Sequence, residues 1–142
     1  MPTLTRTVQS HCEAGRAFAY LCDFENAVEW DSGTVRCTRT SGDGGPGTVY
    51  HNLSRFVGRQ VELDYTVESV AEPQFVIVGR NATATSRDTI VVTPRDEGCE
   101  VVYRADFTFT GVARFLGPIM QVFLERLGDA TARTLGEALD RQ

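Results

Sequence analysis

Tyr65, Tyr103, Asp88 and His51 are the side chains of this 142-residue sequence whose types suit acid–base work. A phenol can offer a hydrogen bond, and a carboxylate or imidazole can take or give a proton. Tyr65 alternates with Val61, Leu63 and Val67 against Glu62, Asp64, Thr66 and Glu68, so it belongs to the dry face of a strand. Tyr103 shares a dry face with Val101, Ala105, Phe107 and Phe109, opposite Glu100, Arg104, Asp106 and Thr108. An inward tyrosine needs a partner for its hydroxyl, which a water-filled or ligand-filled cavity supplies more readily than aliphatic packing. If Ile90 and Val92 face inward, period two turns Ser86 and Asp88 inward as well. The opposite register would bury Arg87 and Thr89, and the run Ile90-Val91-Val92 leaves the choice open. An unpaired buried carboxylate is costly, so an inward Asp88 calls for a function or for a partner such as Arg80 or Arg104. His51 lies in a strand whose face is undecided, where a lone histidine is more often a surface residue than a base. These residues make no Ser/His/Asp or Cys/His set by spacing.

Several chemistries are excluded or disfavoured. All fourteen basic residues are arginine, so no Schiff base or lysine nucleophile can form. A net charge of -5 with arginines spread among acids argues against nucleic acid as a partner. Cys12, Cys22, Cys37 and Cys99 lack C-x-x-C or His-rich spacing, so free thiols, no metal site and no cofactor are expected. The N-terminal residues lack a basic leader followed by an apolar stretch, and no apolar run approaches the length of a membrane span. A cytosolic chain without membrane insertion is therefore expected. Asn81-Ala82-Thr83 matches a glycosylation acceptor by letter alone. The loop Gly42-Asp43-Gly44-Gly45-Pro46-Gly47 is followed by a strand and no Gly-Lys-Ser/Thr, which makes it a hairpin turn, free to serve as a lid, rather than a phosphate cradle.

The elements that must position these groups follow from periodicity. Strands are expected over 4–9, 34–40, 48–56, 60–70, 74–79, 84–93 and 100–110, with the first near an edge. The six after Gly33 are joined by links short enough only for antiparallel neighbours, a meander. The faces of 74–79 stay open. Ser10 and Glu13 have the spacing of a capping box ahead of a short helix that packs through Ala14, Phe18, Leu21 and Cys22. Asp23 caps a second short helix carrying Phe24, Ala27, Val28 and Trp30. Residues 112–140 read as one long helix with a stripe at Leu116, Met120, Phe123, Leu127, Ala130, Thr134 and Ala138. Asp129, Arg133, Glu137 and Arg141 form charge pairs four apart on the wet side. Its first turns are apolar almost all round, through Phe115, Ile119, Val122 and Leu124, as plain core, cavity wall or a contact between two copies would require. Gly128 and Gly136 signal either close approach by another element or simple tolerance. With 42% hydrophobic residues and no linker-like stretch, residues 1–142 are expected to form one α+β domain whose single dry sheet face is covered by the terminal helix.

The order strand, two short helices, six strands, long helix resembles the helix-grip fold of the START-related superfamily. The stretches SHCEAGRAFAYLCDFENAVEW, GTVYHNLSRFVGRQVELDYTV and RDTIVVTPRDEGCEVVYRADFTFTG resemble its polyketide cyclase/dehydrase and lipid-transport branch. The resemblance implies a seven-stranded antiparallel sheet wrapped around the long helix. Between them a cavity would hold a lipid, polyketide or aromatic compound, walled by Tyr65, Ser86, Asp88, Tyr103, Phe107, Met120, Phe123 and Leu127, with Trp30 near the mouth. The expected role is a carrier or sensor. An aromatase/cyclase or dehydratase using Tyr65, Tyr103, Asp88 or His51, and a homodimeric interaction protein with a filled core, are the other readings.

Overall fold

The computed structural model describes residues 2–111 and 117–142. Its elements are β1 (Thr3–Ser10), α1 (Ala14–Cys22), a 3-10 turn (Phe24–Asn26), α2 (Ala27–Trp30), β2 (Thr34–Ser41), β3 (Val49–Phe56), β4 (Arg59–Ala71), β5 (Gln74–Arg80), β6 (Ala84–Arg95), β7 (Gly98–Phe109) and α3 (Gly117–Asp140). The seven antiparallel strands follow the order β1-β7-β6-β5-β4-β3-β2, a meander from β2 to β7 with β1 closing on β7 at the edge. Alternation sets the dry face where it is strongest. Val101, Tyr103 and Ala105 are buried on β7, Tyr65 and Val67 on β4, and Ser86, Asp88, Ile90 and Val92 on β6, which resolves the parity left open by Ile90-Val91-Val92. On β5, Phe75 to Val78 are all buried, so this central strand is covered on both sides.

Local chemistry explains the joints. Glu13, not Ser10, caps α1, its carboxylate accepting from the Gly15 and Arg16 amides. Ser10 ends β1 and instead accepts from the Cys12 amide and donates to Asp140 at 2.7 Å. The box pattern is present, but pairing with Cys99 keeps Ser10 in the sheet. Asp23 caps the 3-10 turn through the Glu25 amide. Asn81 closes the β5–β6 link by accepting from the Thr83 and Ala84 amides, a turn role for the acceptor-like triplet. The glycine-rich segment joins β2 to β3.

The dry face of α3 lies one residue along from the expected stripe. Leu124, Gly128, Thr131, Leu135, Ala138 and Leu139 are buried, whereas Met120, Phe123, Leu127 and Thr134 are half-buried. Two sets of small and apolar residues run side by side, and contact with β1 selects between them. A Cβ on Gly128 would stand 2.4 Å from Leu4 Cδ1, so the glycine permits close approach; on Gly136 the nearest atom, Val8 Cγ1, would be 3.4 Å away. Gly136→Ala is therefore expected to raise stability by roughly 0.5–1 kcal/mol through helix propensity, and Gly128→Ala to lower it by about 1 kcal/mol through overpacking. Urea unfolding of the pair checks this, and the reverse ranking would contradict the register. Ile119 and Val122 are exposed rather than enclosed, and Phe115 and Leu116 lie outside the described residues. Arg6 of β1 engages Asp129 and Glu125, while Thr134 donates to the Trp30 carbonyl at 2.6 Å. The helix is thus tied to β1 on one side and to α2 on the other. It stands off from the middle of the sheet.

Candidate functional site

The stand-off encloses a cavity of about 250 Å³ between the dry sheet face and α3. Its wall is largely apolar, with Leu4, Phe56, Phe107, Met120, Leu124 and Leu135 among the contributors. Tyr65, Ser86, Tyr103 and Leu127 also line it, Tyr65 and Tyr103 as the alternation on β4 and β7 required and Ser86 through the parity that the structure selects for β6.

Polar groups collect at two places. On β6, Ser86 Oγ donates to Asp88 Oδ1 at 2.6 Å, and the Tyr103 hydroxyl donates to Asp88 Oδ2 at 2.9 Å. Tyr65 sits beside the same serine, with Ser86 in hydrogen-bonding relation to its hydroxyl. Asp88 is 2% exposed and lies behind the wall rather than on it. Burial pushes its carboxyl up to about 7; the two hydroxyl bonds oppose the shift, and the charge of Asp31 adds to it. Burial is also the main reason both tyrosine hydroxyls are raised well above their ordinary value. Among the described residues no arginine meets Asp88. Arg104 pairs with Asp106 on the outer face, and Arg80 is exposed at the end of β5.

The second polar place centres on Asp31, which follows α2 and touches the cavity. Its carboxylate accepts from the Gly33 amide, the Thr34 hydroxyl and the Thr131 hydroxyl of α3 at 3.0–3.2 Å. Burial raises its pKa against those three bonds. A strip of hydroxyl and amide groups leads to it from the wall, since Ser54 donates to Asn52 Oδ1, Asn52 donates to Thr34 Oγ1, and Thr34 donates to Asp31. The sequence signal for Asp31 is the Asp-Ser-Gly turn, where an aspartate bonds the amide two residues on. A turn explains that residue fully by itself, so nothing local marks it as part of a cavity wall.

Three expected wall residues sit elsewhere. Trp30 is fully buried behind the wall, its indole N–H without a partner among the described residues and its ring edge-on to Tyr103 with centroids 5.8 Å apart. Phe123 packs edge-on against Phe56. Asp88 lies behind the wall, bonded to Tyr103 and Ser86. His51 faces outward between Asp64 Oδ1 (2.8 Å) and Glu62 Oε1 (3.0 Å), and these two bonds raise its pKa. It is not among the residues that line the cavity. No residue of the glycine-rich loop lines the cavity. Among the described residues no His, Cys, Asp and Glu side chains gather in a group that could hold a metal ion, and no helix is long and apolar enough to cross a membrane.

Comparison with known proteins bears on this architecture. The START superfamily protein from Mycobacterium smegmatis superposes with a TM-score of 0.83 at 15% identity, covering 98% of this chain and 97% of that one. The Zhui aromatase/cyclase from a Streptomyces species superposes with a TM-score of 0.82 at 11% identity, covering 98% and 93%. At those identities the likeness speaks for the helix-grip fold. No curated protein matches the sequence. Residues 1–140 match the family described as polyketide cyclase / dehydrase and lipid transport, and the chain belongs to that family.

Proposed function

We propose that this protein encloses a compact hydrophobic or aromatic molecule between sheet and α3, as a carrier or sensor. The observation that carries the reading is an apolar cavity of about 250 Å³ with hydroxyl groups converging on one wall. That volume lies just under the usual small-molecule range, which begins near ~300 Å³, so one or two fused rings suit it better than a long acyl chain. Native mass spectrometry of the purified protein is expected to find a retained small compound. Leu127→Trp, at a half-buried wall position, is expected to weaken binding of a bicyclic aromatic ketone at least about tenfold, or ~1.4 kcal/mol. Unchanged affinity in a folded Leu127→Trp protein would count against the site. The reading as a dimer with a filled core needs a closed seam, and the cavity argues against it.

One observation favours a second reading, an aromatase/cyclase or dehydratase. Asp88, held near 7, stands directly behind a phenol on the wall, which is how an acid is poised to protonate a carbonyl through a hydroxyl. Incubation with poly-ketone substrates and product analysis tests it. Tyr103→Phe and Asp88→Asn are each expected to lower turnover by about 10²-fold. Full activity in both would exclude these residues from the chemistry.

A further inference from the structure

The hydroxyl row beneath the cavity has a direction. Both hydroxyls that touch Asp88 donate to it, and each has one hydrogen to give. While Asp88 is ionised, the Tyr103 hydrogen is committed to the carboxylate, and the phenol turns a lone pair toward the cavity. Tyr65 lies next to Ser86 on the same wall, and because the Ser86 hydrogen is already given to Asp88, the serine has none left for Tyr65. The ionised row therefore offers acceptors to a guest. Once Asp88 carries a proton, the carboxyl O–H donates to one of its two hydroxyls, and that hydroxyl's own hydrogen is released toward the cavity. The protonated row offers a donor.

The charges of Asp31 and Asp106 push this equilibrium toward the protonated form. The titratable groups that face it are Tyr65 from β4, Tyr103 from β7 and Asp31 from the α2–β2 link, with Asp106 acting from the outer face of β7. From α1, which packs across β6, Ala17, Phe18 and Leu21 enter the core. From α3, Thr131 and Leu135 line the cavity. No cation among these stabilises the ionised form.

Resting on the binding reading above, we propose that the Tyr65–Ser86–Asp88–Tyr103 row selects its guest by hydrogen-bond polarity. A ketone-type guest binds with uptake of one proton from solvent by Asp88, and a hydroxyl-type guest binds with Asp88 ionised. No bond of the guest changes in either case. Because the carboxyl is held near 7, both forms are within reach close to neutrality.

The test uses 1-tetralone and 1-tetralol, which share a bicyclic frame and do not titrate near neutral pH. Calorimetric titration of the full chain in buffers of different ionisation enthalpy reads affinity and proton count together. Tetralone is expected to bind with uptake of a proton and to weaken by up to about tenfold per pH unit above the Asp88 pKa. Tetralol affinity is expected to rise through the same interval without proton uptake. Asp88→Asn should lose the pH dependence of both guests. Tyr103→Phe, which leaves the carboxylate in place, should lose discrimination between them, and it decides the question if the asparagine variant folds poorly. Parallel pH profiles for the two guests, or a slope that survives in Asp88→Asn, overturn the switch while leaving the binding reading intact. If neither guest binds and no compound is retained in native mass spectra, the binding reading fails and the switch falls with it.

Discussion

Gly79→Ala is expected to cost about 1–3 kcal/mol of stability and to weaken ligand binding by an order of magnitude or more. Gly79 lies between Tyr65 of β4 and Ser86 of β6 in one row across the sheet. An added Cβ would stand 2.6 Å from Tyr65 Cε1, 2.8 Å from Cζ and 2.9 Å from Cδ1. These are atoms of one rigid ring, so no single torsion near the tip relieves the clash. Phe24 holds the same ring from another side, with centroids 4.9 Å apart. The phenol must therefore lift into the cavity, which both occupies guest volume and breaks its relation to Ser86. A double-mutant cycle with Tyr65→Leu separates the terms. If the clash is the cause, the alanine costs much less beside leucine, and the two changes are strongly non-additive. Wild-type stability and affinity in Gly79→Ala would show that the ring does not depend on the missing side chain.

That example shows why the fold was more legible than the site. Alternation at Val101, Tyr103, Ala105 and Phe107 records burial directly, because a strand hides every second residue. The length of the terminal helix and the short links between strands left few ways to cover one dry face. The inward pointing of Tyr65 and Tyr103 followed from the same period, and that of Ser86 once the parity of β6 was settled. What the sequence does not encode locally is distance between elements. Asp31 reads as an ordinary turn aspartate until α3 brings Thr131 against it. His51 and Asp88 are equally plausible bases by type, and only the packing of the sheet places one between two exposed acids and the other beneath a phenol. The helix stripe was displaced by one residue because Leu4, more than a hundred positions away, decides which small residue faces β1. Gly79 gave no warning either, since a glycine near a strand end usually marks a bend or bulge rather than a seat for a ring.

Asp88→Asn is expected to be more stable than the parent protein at pH 8, by up to about 4 kcal/mol, by less than half of that at pH 5, and to draw level with it only below the unfolded carboxyl value of 3.8. Burial lifts the folded-state carboxyl from 3.8 to about 7, so between those values the folded protein keeps a proton that the unfolded chain releases. The unfolded chain then binds fewer protons, and stability falls as pH rises through the interval. An asparagine nearly matches the protonated carboxyl in shape, can still bond Ser86 and Tyr103, and never ionises. Asp31 is shifted in the same direction, and the raised His51 likewise loses its contribution as pH rises through its folded value. Glu13, Asp106, Glu125 and Asp140 act oppositely, because their lowered values add stability that is lost only as pH falls below the ordinary carboxylate range. Glu13, His51, Glu125 and Asp140 are common to both proteins and drop out of the difference, whereas the charges of Asp31 and Asp106 act on Asp88 and are part of what is measured. Urea unfolding of the pair at the two pH values isolates Asp88, and an equal offset at both would mean that the fold does not oppose its ionisation. A carboxylate so placed weakens its own fold once it ionises, which a neutral residue of the same shape does not, and the groups it touches, Tyr103 and Ser86, both line the cavity.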